Sequence, residues 1–255
     1  MEIEPETLNQ LVSSWESQQN SHIRFRETRF GIMLDIAEQA FGGDFKSLDV
    51  ACGPGSLSRR LLDRFPESRV NSVDFDPVLL AIGRNSMSAY GERVSWIEGD
   101  LRKNDWPGEL TPGPFDCAMS TTALHWLSAD SLRNLYRNIY SVLKEGGIFM
   151  NGDHMILEER VDRVHDLVHK ANERWSKRSF AENKAPNWEQ WWSKIRDKEK
   201  FNGLLEERAR RYSNPDNHNQ MVSLNRHIDY LKQAGFRFID VVWQYSNDRI
   251  LVAVK

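Results

Sequence analysis

The chain reads as an α/β protein: a doubly wound, mostly parallel seven-stranded sheet with a terminal antiparallel hairpin and a helical cap. Three observations predict this. From residue 46 onward, short apolar runs alternate with amphipathic stretches at helical spacing, the pattern of parallel strands covered by helices on both faces. The first apolar run leads straight into Gly53-Pro54-Gly55, a tight strand-to-helix turn. The chain closes with two strand-like runs around Ser246-Asn247-Asp248, which read as a hairpin.

Each element follows from its residues. Residues 46–52 form a short apolar first strand. The helix after it, 56–65, places Leu57, Leu61, Leu62 and Phe65 on one stripe and leaves Arg59, Arg60, Asp63 and Arg64 to solvent, and Pro66 ends it. Residues 69–75 are the second strand. Asp76-Pro77 then opens a helix, with aspartate as the cap and proline at the first helical position. Strands at 94–98, before Gly99-Asp100, and at 115–120 come next. A helix over 129–144 buries Leu132, Leu135, Ile139, Val142 and Leu143 and stops at Gly146-Gly147; 148–150 is the fifth strand. A helix over 227–234, stopped by Gly235, precedes strands at 238–245 and 250–254. Residues 1–44 are read as a helical N-terminal segment and 153–222 as a helical cap over the ligand edge. The binding core of this single domain is then 45–152 and 223–255.

Composition narrows the partners. Forty per cent apolar and 28% charged residues over 255 positions are globular proportions, which excludes disorder and a coiled-coil build. A formal net charge of −3 gives no pull toward phosphate backbones, so nucleic acid is not an expected partner. Cys52 and Cys117 are the only cysteines, without the spacing of a zinc site or a disulfide framework. Residues 1–20 carry Glu2, Glu4, Glu6 and Glu16 rather than a basic start before an apolar run. No stretch reaches the roughly 20 apolar residues that span a bilayer. The expectation is a cytoplasmic protein with no membrane partner.

Ligands of open α/β sheets bind beyond the carboxyl ends of the strands, where strand order reverses beside the first strand. Asp49-Val50-Ala51-Cys52-Gly53-Pro54-Gly55 lies there. Its glycines let backbone approach a ligand, and the following helix offers its positive end; the plainer reading is a turn and nothing more. Ser58 stands where a dinucleotide fingerprint has its third glycine, and no Gly-Lys-Ser/Thr ending follows, which disfavours a dehydrogenase and an ATP hydrolase. Asp74, at the end of the second strand, suits both hydroxyls of a ribose, while Asp76 is better used as a helix cap. Gly99-Asp100-Leu101 suits an adenine edge, or is a plain turn.

In this order, Asp49 to Gly55, Asp74, Gly99-Asp100 and Leu143-Lys-Glu-Gly-Gly147 resemble the class I S-adenosylmethionine-dependent methyltransferases, over about 46–152 and 225–255. Thr122-Ala-Leu-His-Trp-Leu127 is similar to the small-molecule branch that includes trans-aconitate methyltransferase. Ala51 departs from the family, whose turn usually has its first glycine there. The resemblance implies S-adenosylmethionine as cofactor. Asp49 and the backbone of Gly53 and Gly55 would surround its methionyl part, Asp74 its ribose, Asp100 and Leu101 its adenine, and Ser120 and Thr121 its sulfonium. Ala51, Cys52 and Phe75 join the binding set, and Arg29 is assigned to the cofactor's carboxylate.

Methyl transfer from a sulfonium is an in-line displacement in which alignment and exclusion of water do most of the work, so a base is optional. His125 is the candidate base for a hydroxyl acceptor, with a histidine packed beside Trp126 and Leu127 as the alternative. His154 faces the same edge. His165 and His169 share a helix face but have no third ligand nearby, so no metal is assigned. Trp188, Trp191 and Trp192 are either an aromatic wall for the acceptor or the cap's own core. Arg208, Arg210 and Arg211, beside Glu206 and Glu207, read as a solvated face with local ion pairs.

The expected function is methylation of a small molecule at oxygen, on a carboxylate or a hydroxyl. The alternatives are methylation of a nucleic acid or protein and a non-catalytic S-adenosylmethionine-binding protein. The nucleic-acid reading is disfavoured because Ser120-Thr-Thr-Ala-Leu124 replaces the Asn/Asp-Pro-Pro-aromatic run of amino-methylating relatives.

Overall fold

A computed structural model describes residues 3–111, 113–156, 162–213 and 222–255. The parts of the cap reading that fall on 157–161 and 214–221 lie outside them, as do residues 1 and 2. Seven strands form one sheet: β1 (Lys46–Val50), β2 (Arg69–Asp74), β3 (Val94–Glu98), β4 (Phe115–Thr121), β5 (Leu143–His154), β6 (Phe238–Tyr245) and β7 (Asp248–Val254). Their order is β3-β2-β1-β4-β5-β7-β6. Only β7 runs against the rest, pairing antiparallel with β5 and with β6. Strand order reverses between β1 and β4, so a crevice opens beyond their carboxyl ends.

Burial follows position. β2 is buried at every residue after its first, as expected of a strand covered on both faces, whereas the edge strand β6 is half-buried or exposed throughout. On one face, α5 (Ala129–Val142) and α9 (Leu224–Ala234) pack Leu132, Leu135, Tyr136, Tyr230 and Leu231 onto Leu48, Val50, Val73 and Phe149. On the other, α2 (Arg26–Phe41) and α3 (Ser56–Arg64) bring Phe30, Met33, Leu57 and Leu61 onto Val70, Met119 and Met150. A third core joins α1 (Pro5–His22), α4 (Pro77–Ser86) and α7 (Trp188–Arg196) through Leu11, Trp15, Val78, Ile82, Trp191, Trp192 and Ile195. The remaining helices are α6 (Asp162–Asn183) and α8 (Asn202–Tyr212). No helix among the described residues is long and apolar enough to cross a membrane.

Several boundaries differ from the sequence reading: α5 ends at Val142 and β5 already begins at Leu143, where the reading had helix to 144 and strand only from 148, and two further differences have clear reasons. The first strand ends at Val50 because Ala51 turns to φ 58°, the left-handed region that a Cβ disfavours. β5 extends to His154 rather than stopping at 150, because Asn151-Gly152-Asp153-His154 pairs with β7 despite its polar composition.

Gly83 in α4 sits under the Trp96 ring. A Cβ there would come within 2.3 Å of that ring and 3.1 Å of the Pro54 carbonyl. Alanine is ordinarily the better helix former by about 1 kcal/mol, but overpacking of a fixed ring and backbone outweighs that. Gly83→Ala is expected to lower stability by about 1–3 kcal/mol; an unchanged urea midpoint would contradict the packing.

Candidate active site

The crevice is a cavity of about 820 Å³. Asp49, Ala51, Cys52 and Gly53 after β1, Asp74 and Phe75 at the end of β2, Asp100 and Leu101 after β3, and Thr121 and His125 at the end of β4 line it. Trp15 of α1, Phe180 of α6, Trp188 of α7 and Tyr212 of α8 close it from the cap side.

The turn after β1 is held by the two carboxylates that flank it. Asp74 Oδ2 accepts from the Gly53 amide at 2.7 Å and Oδ1 from the Asp76 amide at 2.8 Å. Gly53 at φ 56° and Gly55 at φ 85° supply the left-handed residues this path needs. Asp49 Oδ2 accepts from both the amide (3.1 Å) and the hydroxyl (2.6 Å) of Ser58, so the serine in place of a third glycine ties β1 to α3. Burial pushes the Asp49 carboxyl up to about 7 and that of Asp74 up to about 6. Asp76 caps α4 through the Val78 and Leu79 amides.

Beyond Asp74, the cavity wall is an aromatic slot. Phe75 and Tyr212 stand 5.6 Å apart, ring centre to ring centre, and the Arg102 guanidinium lies 4.8 Å over Phe75. Asp100 lines the cavity, but its carboxylate takes a bidentate fork from Arg102, both bonds 2.8 Å. Burial raises its pKa, and the fork outweighs burial and holds it below the usual range. Arg208 and Arg211 are not a solvated face. Arg208 Nε donates to Asp76 Oδ2 at 2.6 Å, and Arg211 donates to the Phe75 carbonyl at 2.8 Å and pairs with Glu98, so α8 is clasped onto the end of β2. The expected local pairing is kept by Arg210 and by Arg211 Nε, both with Glu207.

At the other end stand His22, His125 and His154. His125 Nδ1 is 2.7 Å from Asp153 Oδ1, and the His125 and His154 amides donate to the two oxygens of the same carboxylate at 3.1 and 2.8 Å. Burial lowers the His125 pKa, yet the Asp153 charge outweighs it and leaves it above its ordinary value. For His154 burial prevails, and its pKa falls below the ordinary value. The Trp126 ring, 60% exposed, lies 5.1 Å from that of His125, so His125 is packed against it on one side and lines the cavity on the other.

Three of the residues assigned to the cofactor lie outside the cavity lining. Ser120 is buried and donates to the Val50 carbonyl at 2.8 Å. Gly55 faces Trp96 and Met87. Arg29 is 1% exposed, pinned to the Gly152 carbonyl, the Asp248 carboxylate and the Thr122 hydroxyl at 3.3, 3.2 and 2.8 Å. It shares a helix face with Met33 and Ala37, a spacing visible in the sequence. One turn earlier, Arg26 does line the cavity, paired with Glu16 at 2.7 Å. The aromatic run of the cap divides: Trp191 and Trp192 are core, while Trp188 is 47% exposed and lines the cavity. Trp15, His22 and Phe180 carry no motif, and sequence reasoning did not single out their role.

Residues 48–147 match the family described as methyltransferase domain. The chain is similar to a carboxy-S-adenosyl-L-methionine synthase of Campylobacter lari, 24% identical over 82% of this chain and 77% of that protein. It is also similar to a trans-aconitate 2-methyltransferase of Azoarcus sp., 28% identical over 54% of this chain and 49% of that one, so this match spans about half that relative's length. Among solved structures, an O-methyltransferase family protein from Burkholderia thailandensis shares the fold with a TM-score of 0.57, at 15% identity over 98% of this chain and 70% of that one.

Proposed function

We propose that this chain, which belongs to the class I S-adenosylmethionine-dependent methyltransferases, methylates a small molecule at oxygen, on a hydroxyl or a carboxylate. The observation that carries this reading is a cavity running from the turn after β1 to a histidine-lined end. Its volume falls in the range of small-ligand sites, about 300–1,000 Å³, and aromatic side chains of the cap line it, which supports a small acceptor. A relative named for trans-aconitate is in keeping with such an acceptor.

The residues present fit the cofactor. A buried carboxylate, Asp74, offers lone pairs to a diol, and the left-handed Gly53 keeps the turn free of a side chain that would project toward Trp15. When bound, the cofactor supplies a methyl group already activated on a sulfonium. On this reading Asp74 and Phe75 hold the ribose, Asp100 and Leu101 meet the adenine, and Thr121 borders the sulfonium. Asp49, Ala51, Cys52 and Gly53 surround the methionyl part, and Arg26, in place of Arg29, answers its carboxylate. His125 is assigned to the reacting oxygen of the acceptor, with Trp15, Trp188 and Phe180 excluding water around its body.

The test is release of S-adenosylhomocysteine with a panel of small phenols, alcohols and carboxylic acids, run beside protein and RNA. Turnover with members of the small panel is expected. Turnover with protein or RNA alone, or with none of them, would overturn the reading.

A pH dependence also follows. Ribose hydroxyls donate to the ionised form of Asp74, whose carboxyl is held up to about 6 before the ligand arrives. Binding therefore expels a proton below that pH. Affinity for S-adenosylhomocysteine is expected to hold steady above about pH 6 and to fall by up to about tenfold per unit below it. Asp74→Asn should lose the dependence, and an equally steep profile in that variant would refute the assignment.

A further inference from the structure

We propose that His125, Asp153 and His154 form a binding site for a divalent transition-metal ion, of the zinc or iron(II) class, at the acceptor end of the cavity. The proposal deepens the reading above, since it places an ion beside the oxygen to be methylated.

Asp153 and His154 end β5, and His125 lies in the short helical turn that follows β4, the two strands running parallel and in register at Thr121 and Gly152. Each of the three residues presents a ligating atom within 4.8 Å of the other two, so binding one ion with bonds of about 2.0–2.2 Å would draw the donors together to roughly 3.4 Å. Two imidazoles and one carboxylate suit zinc or iron(II) better than magnesium or calcium, which prefer oxygen alone.

The surroundings match those of a ligating histidine, which hands its second ring nitrogen to a carboxylate. His154 Nε2 lies 3.3 Å from Asp248 Oδ1, and Arg29 anchors that carboxylate at 3.2 Å. His154 Nδ1 is thereby left toward Asp153, at 3.9 Å. Asp153 is itself oriented by the His125 and His154 amides. Without an ion, His125 Nδ1 and Asp153 Oδ1 share a hydrogen across 2.7 Å. With one, that hydrogen moves to Nε2 and the ion takes its place. Asp153 is fully buried, while the side chains of His125 and His154 stay 13% and 26% exposed. One face of the site is therefore open to the cavity, as in sites that keep a position for water or substrate. An acceptor oxygen bound there would be both positioned and polarised.

The sequence offered no such cluster, because its ligands lie 28 positions apart. The histidine pair it did offer, His165 and His169 on α6, is the competing site that the test must separate.

The 255-residue chain, stripped with a chelator, is titrated with Co²⁺ and Zn²⁺ by calorimetry and by visible absorption of the cobalt form. One equivalent is expected to bind, with cobalt bands of a low-coordinate nitrogen and oxygen site. His154→Gln should weaken binding at least tenfold, and His169→Gln should leave it unchanged; thermal unfolding of each variant checks that it is folded. No stoichiometric binding, or binding abolished by His169→Gln and indifferent to His154→Gln, would overturn the proposal and leave a hydrogen-bonded His125–Asp153 pair. S-adenosylhomocysteine affinity, measured on the same samples, reads the cofactor end separately, so failure of one reading is distinguishable from failure of the other.

Discussion

Replacing Arg29 with methionine is expected to destabilise the fold by about 3–5 kcal/mol, the scale for removing one partner of a buried ion pair. The guanidinium is buried, and burial lowers its pKa against the raising pull of Asp248 and Asp153. Its partner Asp248 is 4% exposed, so methionine would leave a buried carboxylate whose remaining ion-pair partner among the described residues is His154. Methionine would also release the Thr122 hydroxyl, which Arg29 holds at 2.8 Å, from a turn where Thr122 is kept at φ 55°. A β-branched residue persists there only under restraint. For a chain of 255 residues the loss corresponds to about 6–20 °C in Tm. Arg29→Lys should recover only part of it, since a point charge cannot bridge a carbonyl, a carboxylate and a hydroxyl at once. If Arg29 instead served the cofactor's carboxylate, the methionine variant would keep its Tm and lose ligand affinity, which is the outcome that defeats this account. On the proposed assignment, that loss of affinity is the expected result for Arg26→Met instead.

The contrast between Arg26 and Arg29 shows what the sequence could carry. Strand and helix positions were legible because apolar periodicity is local, and the turn from Asp49 to Gly55 was legible because its glycines and carboxylate are contiguous. Asp76 as the cap of α4 was readable from two residues. What escaped was made by distant pairs: Arg29 with Asp248, 219 positions apart, Arg208 with Asp76, 132 apart, and Arg211 with the Phe75 carbonyl, 136 apart. In each, local chemistry pointed to a solvated or ligand-binding arginine, and only tertiary packing turned it into a clasp. The tryptophans were undecided for the same reason. Trp191 and Trp188 are neighbours on one short helix, yet Trp191 donates to the Leu11 carbonyl of α1 at 3.2 Å while Trp188 lines the cavity.

Asp74→Ala is expected to weaken S-adenosylhomocysteine binding by about 1.5–3 kcal/mol, the scale for hydrogen bonds to a charged group, or roughly ten- to hundredfold in Kd. The effect on stability should be far smaller, because two terms oppose each other. Alanine strands the Gly53 and Asp76 amides that the carboxylate accepts, at about 1–3 kcal/mol for each one left without a partner, less wherever water from the cavity reaches them. It also removes a buried acid whose pKa is raised to about 6 from 3.8. A group raised in this way contributes its full stability at low pH and loses it as pH climbs through the folded value, so at pH 7 the ionised carboxylate works against folding. The alanine variant should therefore lose relatively more stability at pH 4 than at pH 7. A carboxylate kept for structure alone would show the reverse: a large fall in Tm at neutral pH and an unchanged Kd in the folded fraction. Calorimetric titration at pH 7, paired with urea unfolding at pH 4 and 7, separates the two. Small loss of stability with large loss of affinity is the mark of a charge retained for its ligand.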